Sequence, residues 1–515
     1  MGAERYLLGI DNGSTVTKAA LYDLTGRELA VSAVKSDMIF PHPGHAEKDV
    51  AALWAANAKV IGDVIRAAAI DAGDIAGVAV TGHGNGMYLT AADGSPAHNG
   101  INSADSRATS YIERWYRDGT FARVLPQICQ PIWAGQPAAL LAWFRDNAPS
   151  ALERTRWVFM CKDYIRYRLT GEAFGEITDY SGLSLMNVRD FRYDPDILAA
   201  YGLQGIADKL PPVRRSADIC GRVTRAAAAE TGLREGTPVA GGMFDITACA
   251  IATGITDTEK LCLIAGSWSI NEFISPVPIQ HPDWYMSTAY CMPGFWLIAE
   301  NSPTSASNLE WFVSELMQGE GRDARERGGS VFQTCNELVS SVAPADCDVL
   351  FLPFLYGSNA GPRASASFLG LHGWHTKAHM LRAVYEGVAF SHKTHVDRLL
   401  GVRPPAHAAR IAGGAAKSEV WLQIFADVLQ LPIEITACEE LGAMGAAMAA
   451  GVGIGCFSSF EEAARRMVRV TRVVQPDPRV KAVYEAKYAR YRSAIAALGQ
   501  IWDPPAAVGG PGREA

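Results

Sequence analysis

Leu7-Leu8-Gly9-Ile10-Asp11-Asn12-Gly13-Ser14-Thr15-Val16-Thr17-Lys18-Ala19-Ala20-Leu21-Tyr22-Asp23 reads as an apolar strand, a tight polar turn and a second strand. The turn carries an acid, a glycine and two hydroxyls. Glycine lets the backbone approach a ligand closely. Successive N–H groups and hydroxyls in such a turn can hold phosphate oxygens. A bare carboxylate at Asp11 would repel those oxygens, so a magnesium ion between them is the natural reading. An ordinary hairpin turn could have the same residues, and the rest of the chain must decide.

Outward from this hairpin, Asp23-Leu24-Thr25-Gly26 turns the chain into a third strand near 29–34. Apolar residues at helical spacing (Val50, Leu53, Trp54, Val60, Ile61, Val64, Ile65, Ala68) predict a helix over 49–72, with Gly73 as its stop. Asn57 is the one polar break in that stripe. Residues 75–80 read as a buried strand, completing an α/β layout. A second hairpin of the same design lies at 260–274, turning at Ala265-Gly266-Ser267-Trp268. The arrangement implies a duplicated fold, although the two halves share little residue identity. Helices are expected at 379–400, 419–429, 441–450 and 482–501, and the Pro/Gly-rich tail 503–515 is expected to be disordered. The boundary between halves falls near 245–254.

A chain of 515 residues exceeds one hydrophobic core. A net charge of -7 gives no reason to expect nucleic acid or an anionic membrane as partner. No apolar run is long enough to span a bilayer. Residues 1–5 lead directly into a strand without a signal-peptide core, so the cytoplasm is the expected compartment. The ten cysteines contain no Cys-x-x-Cys pair, which indicates neither a disulfide framework nor a structural zinc site.

Two further segments carry chemistry. Gly241-Gly242-Met243-Phe244-Asp245 follows a strand and precedes a helix-compatible run. A carboxylate there is placed either to cap the helix or to take a proton from an attacking hydroxyl, as phosphoryl transfer requires. Its position just before the second phosphate-type turn favours the base. Ile411-Ala412-Gly413-Gly414-Ala415-Ala416-Lys417-Ser418 is a small-residue loop on which an adenine ring could lie; it lacks the G-x-x-x-x-G-K spacing of a P-loop. Thr81-Gly82-His83-Gly84-Asn85-Gly86 imitates a dinucleotide fingerprint, but 87–90 reads as a strand where that motif needs a helix. His372, His375, His379, His392 and His395 match no zinc spacing and are expected to cap or flank the helix from 379.

Gly9-Ile10-Asp11-Asn12-Gly13-Ser14-Thr15 resembles the first phosphate loop of the actin-like ATPases. Pro43-Gly44-His45-Ala46-Glu47-Lys48-Asp49, Lys162-Asp163-Tyr164-Ile165, Thr178-Asp179-Tyr180-Ser181, Gly242-Met243-Phe244-Asp245, the 413–421 segment and Glu440-Leu441-Gly442-Ala443-Met444-Gly445 follow in order. Together they resemble the FGGY carbohydrate kinases over nearly the whole chain. The resemblance implies an α/β fold of two actin-like ATPase (ribonuclease H-like) domains with a cleft between them. The domains are expected at 1–248, with sugar site, first phosphate loop and catalytic aspartate, and at 249–502, with the nucleotide site. ATP and Mg2+ are the implied cofactors. Asp11 would hold magnesium, with Asp245 the second carboxylate near it. Gly13, Ser14 and Thr15 would contact phosphates from one side, Gly266 and Ser267 from the other. Gly413, Gly414 and Ala415 would hold the nucleotide, and Asp245 would be the general base.

His83, Asn85, Asp105 and Arg107 are the candidate sugar contacts, since polyol recognition needs paired donors and acceptors. Within the family, residues 302–312, 352–361 and 385–392 most resemble the L-xylulose kinases. The implied reaction is phosphorylation of a terminal hydroxyl of a ketopentose, L-xylulose first. Kinases for 3-keto-L-gulonate, D-xylulose or a polyol such as erythritol are alternatives, as is a non-catalytic sugar or nucleotide sensor. The implied partner is a small-molecule sugar, and the resemblance allows a homodimer.

Overall fold

A computed structural model describes residues 5–502 except 359 and 362; the tail expected at 503–515 lies outside the described residues. The chain forms two compact units. One gathers 5–258, 273–299 and 437–469; the other gathers 259–272, 300–436 and 470–502.

The first unit is built on a seven-stranded sheet. β1 (Tyr6–Asn12) and β2 (Val16–Asp23) form the predicted hairpin, followed by β3 (Glu28–Lys35). The helix α1 (Val50–Ala68) leads to β4 (Ile75–Gly82). Beyond α2 (Cys161–Thr170) come β5 (Ile219–Arg222), β6 (Pro238–Ala240), β7 (Met243–Phe244) and α3 (Asp245–Ala252). The sheet order is β5-β6-β4-β1-β2-β3, with β7 also on β4. β1 is parallel to β4 and antiparallel to β2, which places Asp11 opposite Lys18 on one side and Thr81 on the other. β1 and β4 are apolar up to residues 10 and 80 because both faces are covered, and turn polar only at their carboxyl ends. Leu8, Ile10, Val78 and Val80 pack with Val60, Ile61 and Val64 of α1. A separate apolar core lies within 87–213, around Ile128, Leu140 and Phe144.

One local expectation is corrected, and the alternative reading of Asp245 as a helix cap falls away. The first helix ends at Ala68, not at 72, because Ala69 adopts a left-handed conformation at φ 53° and its N–H closes on the Arg66 carbonyl. Gly73 belongs instead to a short 3-10 turn capped by the Asp71 carboxylate. Asp245 is the first residue of α3 and not its N-cap, which is Phe244.

In the second unit, β8 (Lys260–Ala265) and β9 (Ser269–Ser275) form the second predicted hairpin. α4 (Lys377–Leu400), β10 (Ala408–Ala412), α5 (Glu419–Leu429), β11 (Ile433–Thr436) and β12 (Val470–Val474) follow. β8 is antiparallel to β9 and parallel to β10; β10 is parallel to β11, and β11 is antiparallel to β12. The run from β2 through β1, β4 and β6 to β5 has the same sequence of pairings: antiparallel, parallel, parallel, antiparallel. The duplication inferred from the two hairpins is thus visible as topology.

One late helix returns to the first unit. α6 (Leu441–Gly453) is buried over nearly its whole length and packs on β1 and α3. Its small residues make that possible. A Cβ added to Gly9 of β1 would stand 2.6 Å from the Ala443 carbonyl carbon, and one added to Gly445 would stand 2.6 Å from Ala248 Cα of α3.

Candidate active site

Asp11 lies near the carboxyl end of β1, where ligands of open α/β sheets collect. Its carboxyl is pushed up to about 6, chiefly by burial, with Lys18 lowering it and Glu440 raising it. Lys18 Nζ is 2.7 Å from Glu440 Oε2, at the foot of α6. A Cβ on Gly442 would be 2.8 Å from Asp11 Cγ. The neighbouring Asn12 is fixed from behind: Asn57 Nδ2 donates to Asn12 Oδ1 at 2.8 Å, and Asn12 Nδ2 donates back at 3.1 Å. The polar break in the α1 stripe is therefore an anchor for the first turn.

The turn at Gly13, Ser14 and Thr15 is open at its tip, with Thr15 exposed. Lys48 Nζ donates to the Gly13 carbonyl at 3.2 Å and to Ser36 Oγ at 2.8 Å; Asn102 Nδ2 donates to Ser14 Oγ at 3.2 Å. Neither Lys48 nor Asn102 was singled out from the sequence. Lys48 lies within the 43–49 segment that was, and the structure buries it in a two-residue strand.

Asp245 is presented by a backbone pinned at successive residues. Arg166 Nη1 donates to the Gly241 carbonyl at 2.7 Å, and the Gly242 N–H donates to the Ser216 carbonyl at 3.0 Å. Thr81 Oγ1 donates to the Met243 carbonyl at 2.7 Å, and the Phe244 N–H donates to Thr178 Oγ1 at 2.9 Å. Gly242 has φ 76° and lies against Val80, so only glycine fits. The Asp245 carboxyl is pushed up to about 8, first by burial and then by the charge of Asp11. The two carboxyls therefore share one electrostatic environment in the same unit.

Beneath this turn lies a buried charged cluster that sequence reading missed. Lys162 Nζ is 3.0 Å from Asp163, 3.3 Å from Glu176 and 3.8 Å from Asp179; Arg166 is 2.7 Å from Asp163. The signal was present: residues 162, 163 and 166 carry charges within one turn of a helix that is otherwise buried.

The four sugar candidates separate into two pairs. His83 and Asn85 follow β4 in a loop beside Phe244, where a Cβ on Gly84 would be 2.5 Å from Phe244 Cζ. His83 Nε2 meets Tyr88 Oη at 3.2 Å, while His83 Nδ1 and Asn85 Oδ1 are buried without a hydrogen-bond partner among the described residues. Burial, aided by Lys48, holds the His83 imidazole down to about 3, so it is neutral and has one lone pair to offer. Asn85 sits at φ 59°, a conformation non-glycine residues avoid and functional loops retain. Asp105 and Arg107, by contrast, bond each other and their neighbours. Asp105 accepts from the Ala46 N–H at 2.7 Å, Arg107 Nη2 is 2.9 Å from Asp105 and 2.7 Å from Glu47, and both side chains are sealed from solvent.

In the second unit, Ser267 is exposed on the turn between β8 and β9. The Gly266 carbonyl accepts from the Ala306 N–H at 2.8 Å and the Ser267 carbonyl from the Ser305 N–H at 3.0 Å. Gly413, at φ 88°, presses on the same turn; a Cβ there would be 2.6 Å from the Ala265 carbonyl oxygen. Gly414 and the buried Ala415 continue in a 3-10 turn that Ser418 links to α5. Gly266, Ser267, Gly413 and Gly414 thus form one surface of small residues, with Ala415 buried beneath it. The histidines serve structure: His392 bonds Ser269, Asn271 and Ser305, His395 bonds Glu300 and Ser302, and His379 closes the capping box of α4 with Thr376.

Among the described residues no group of three His, Cys, Asp or Glu side chains is arranged for a metal. Magnesium does not need one, since it is commonly held by one or two carboxylates, water and substrate phosphates. Asp11 and Asp245, both raised by burial and Asp245 also by the charge of Asp11, fit that donor set.

Residues 6–252 match the N-terminal domain of the FGGY family of carbohydrate kinases, and residues 261–454 match its C-terminal domain. The chain belongs to the FGGY family of carbohydrate kinases. It is 38% identical over 497 residues to the L-xylulose/3-keto-L-gulonate kinase of Escherichia coli (strain K12), covering 96% of this chain and 97% of that one. It is 37% identical to a probable L-xylulose kinase of Pasteurella multocida (strain Pm70), covering 96% and 99%. The fold superposes on a crystal structure of xylulose kinase from Rhodospirillum rubrum with a TM-score of 0.85 and 27% identity, over 97% of this chain and 100% of that one. The protein is an ATP-dependent sugar kinase with the mixed α/β, two-domain FGGY fold. No helix among the described residues is long and apolar enough to cross a membrane.

Proposed function

We propose that this FGGY kinase transfers the γ-phosphoryl group of ATP to a terminal hydroxyl of a ketopentose, L-xylulose first. The carrying observation is that, within one unit, α6 meets Asp11 through Gly442 and meets α3 at Ala248, one turn from Asp245, through Gly445, while the charge of Asp11 raises the Asp245 carboxyl. Ionised Asp245 accepts the proton of the terminal hydroxyl as its oxygen bonds to the γ-phosphorus; the bond to the bridging β–γ oxygen breaks, and ADP leaves. Magnesium, held by Asp11 and Asp245, would neutralise charge on the phosphates. Gly13, Ser14 and Thr15, and Gly266 and Ser267, bind phosphate oxygens. Gly413, Gly414 and Ala415 carry the nucleotide. His83 and Asn85 have unused hydrogen-bonding capacity for the sugar, and Asp105 and Arg107 brace the surrounding wall through Glu47.

The named activities of the relatives support L-xylulose and make 3-keto-L-gulonate the second substrate to try. In this reading the domains are 1–248 and 249–502, and the enzyme works in the cytoplasm, as a homodimer where it assembles. ADP release over a panel of pentuloses, keto-acids and polyols tests the substrate. Selective turnover of L-xylulose is expected, and turnover of another sugar alone overturns that choice. Asp245→Asn should lower kcat on the order of 10²–10⁴-fold while ATP still binds. Near-normal turnover in that variant refutes Asp245 as the base.

A further inference from the structure

Five ionisable side chains lie completely buried beneath the Asp245 turn: Lys162, Asp163, Arg166, Glu176 and Asp179. Burying charge is costly unless every group is paired, and apolar side chains would fill the same space at less cost. The cluster nevertheless has a defined output. Glu176 accepts from three donors: the Thr178 N–H at 3.1 Å, Thr178 Oγ1 at 2.7 Å and Ser216 Oγ at 2.7 Å. Thr178 Oγ1 gives its proton to Glu176 and so turns its lone pairs to the Phe244 N–H, 2.9 Å away. Arg166, paired with Asp163, holds the other end of the turn at Gly241. Phe244 immediately precedes Asp245, so this hydroxyl is the restraint nearest to the start of α3 and to its first side chain.

We infer that Thr178 is a positioning residue for phosphoryl transfer: oriented by Glu176, its hydroxyl fixes the Phe244 amide and thereby the Asp245 carboxylate. The inference rests on Asp245 being the base. A small displacement of a reacting group costs rate more than binding, because substrate contacts made elsewhere survive.

The test compares Thr178→Val, which keeps the shape and removes the hydroxyl, with Thr178→Ser, which restores it. Thr178→Val is expected to lower kcat on the order of 10–100-fold, with KM for sugar and ATP within about threefold of the parent. Thr178→Ser is expected to return kcat to within about threefold. Equal losses in the two variants, or a loss carried by KM, overturn the inference. Should Thr178→Val fail to fold, Ser216→Ala takes its place: it removes one donor from Glu176 and should lower kcat several-fold at unchanged KM, whereas an unchanged kcat overturns the inference. Asp245→Asn is assayed beside them. If it is inactive while folded Thr178→Val turns over normally, only the positioning role fails; if it turns over normally, the base reading fails first.

Discussion

The position of Asp11 is set by a glycine far along the chain, and adding one methyl group there should displace it. An alanine at Gly442 would place its Cβ 2.8 Å from Asp11 Cγ, where ordinary contact begins at 3.4 Å. The carboxylate must therefore retreat by about 0.6 Å, and further at Oδ2, which lies closer still. Retreat is constrained, because β1 is fixed between β2 and β4 and Asn12 is tied to Asn57. Misplacing a catalytic group by about 1 Å costs on the order of 10²-fold, so Gly442→Ala is expected to lower kcat roughly 10–100-fold. Overpacking should also cost about 1–3 kcal/mol of stability. Steady-state ADP release gives kcat, sugar KM and the Mg2+ concentration for half-maximal rate. The last should rise, and sugar KM should change little. Gly499→Ala is the control: it is helical with nothing within 4 Å, and it should leave kcat unaltered. A folded Gly442→Ala variant with parental kcat and Mg2+ dependence would refute the reasoning that α6 sets the Asp11 carboxylate.

Two predictions concern charge. Without magnesium, Asp245 keeps its proton in the folded state up to about 8, while the unfolded chain releases it near 3.8. The folded state then binds more protons across that window, so stability falls as pH rises from about 4 to about 8. Asp245→Asn should flatten the thermal midpoint measured in EDTA over the upper part of this range, and parallel curves for parent and variant would count against it. Within the buried cluster, burial pushes the Asp179 carboxyl well up, with Lys162 opposing, so burial disfavours its charge and Asp179→Asn should cost less than about 1 kcal/mol. Asp163→Asn instead strips Lys162 and Arg166 of a shared partner and should cost about 3–5 kcal/mol, read as a drop of several degrees in Tm; equal losses in the two variants would contradict the charge assignment.

The parts of the fold that were legible in the sequence depend on neighbouring residues. The β1–β2 hairpin could be read because an apolar run, a glycine turn and a second run are local features. The end of α1 was misplaced because an alanine, not a glycine, takes the left-handed position. Asn57 stood out as a polar break, but its partner Asn12 lies 45 residues away and no periodicity points to it. Asp105 and Arg107 have the right side chains for a sugar; only the structure shows that they bond each other, Glu47 and the Ala46 amide. The 162–179 charges were visible as residue types, yet their common burial depends on a helix, a short strand and a turn meeting under Gly241–242. Motif position was therefore readable, and the support behind each motif was not.

On the proposed roles of Asp11 and Asp245, that support would give α6 a part in the reaction although it contributes no reacting group. Asp11 sits on a strand and Asp245 on a helix, and the two elements are separated by more than two hundred residues of chain. Neither hairpin geometry nor helix geometry fixes the distance between them. The Gly442 face of α6 meets Asp11, and the Gly445 face meets the backbone of Ala248, one turn along from Asp245. The Gly445 contact is with backbone and admits no larger side chain, whereas a methyl group at Gly442 would displace the Asp11 carboxylate. A buried helix is stiff along its hydrogen-bonded length, so a three-residue spacing on α6 becomes a fixed spacing between two carboxylates. The second restraint on Asp245, through Phe244 and Thr178, comes from the opposite kind of material: paired charges in place of small apolar contacts. On the proposed reading of Asp245 as the base, a carboxylate held both by close packing and by an oriented hydroxyl would lose little to reorganisation when the hydroxyl proton arrives, which is the condition for a base raised by burial to be useful in phosphoryl transfer.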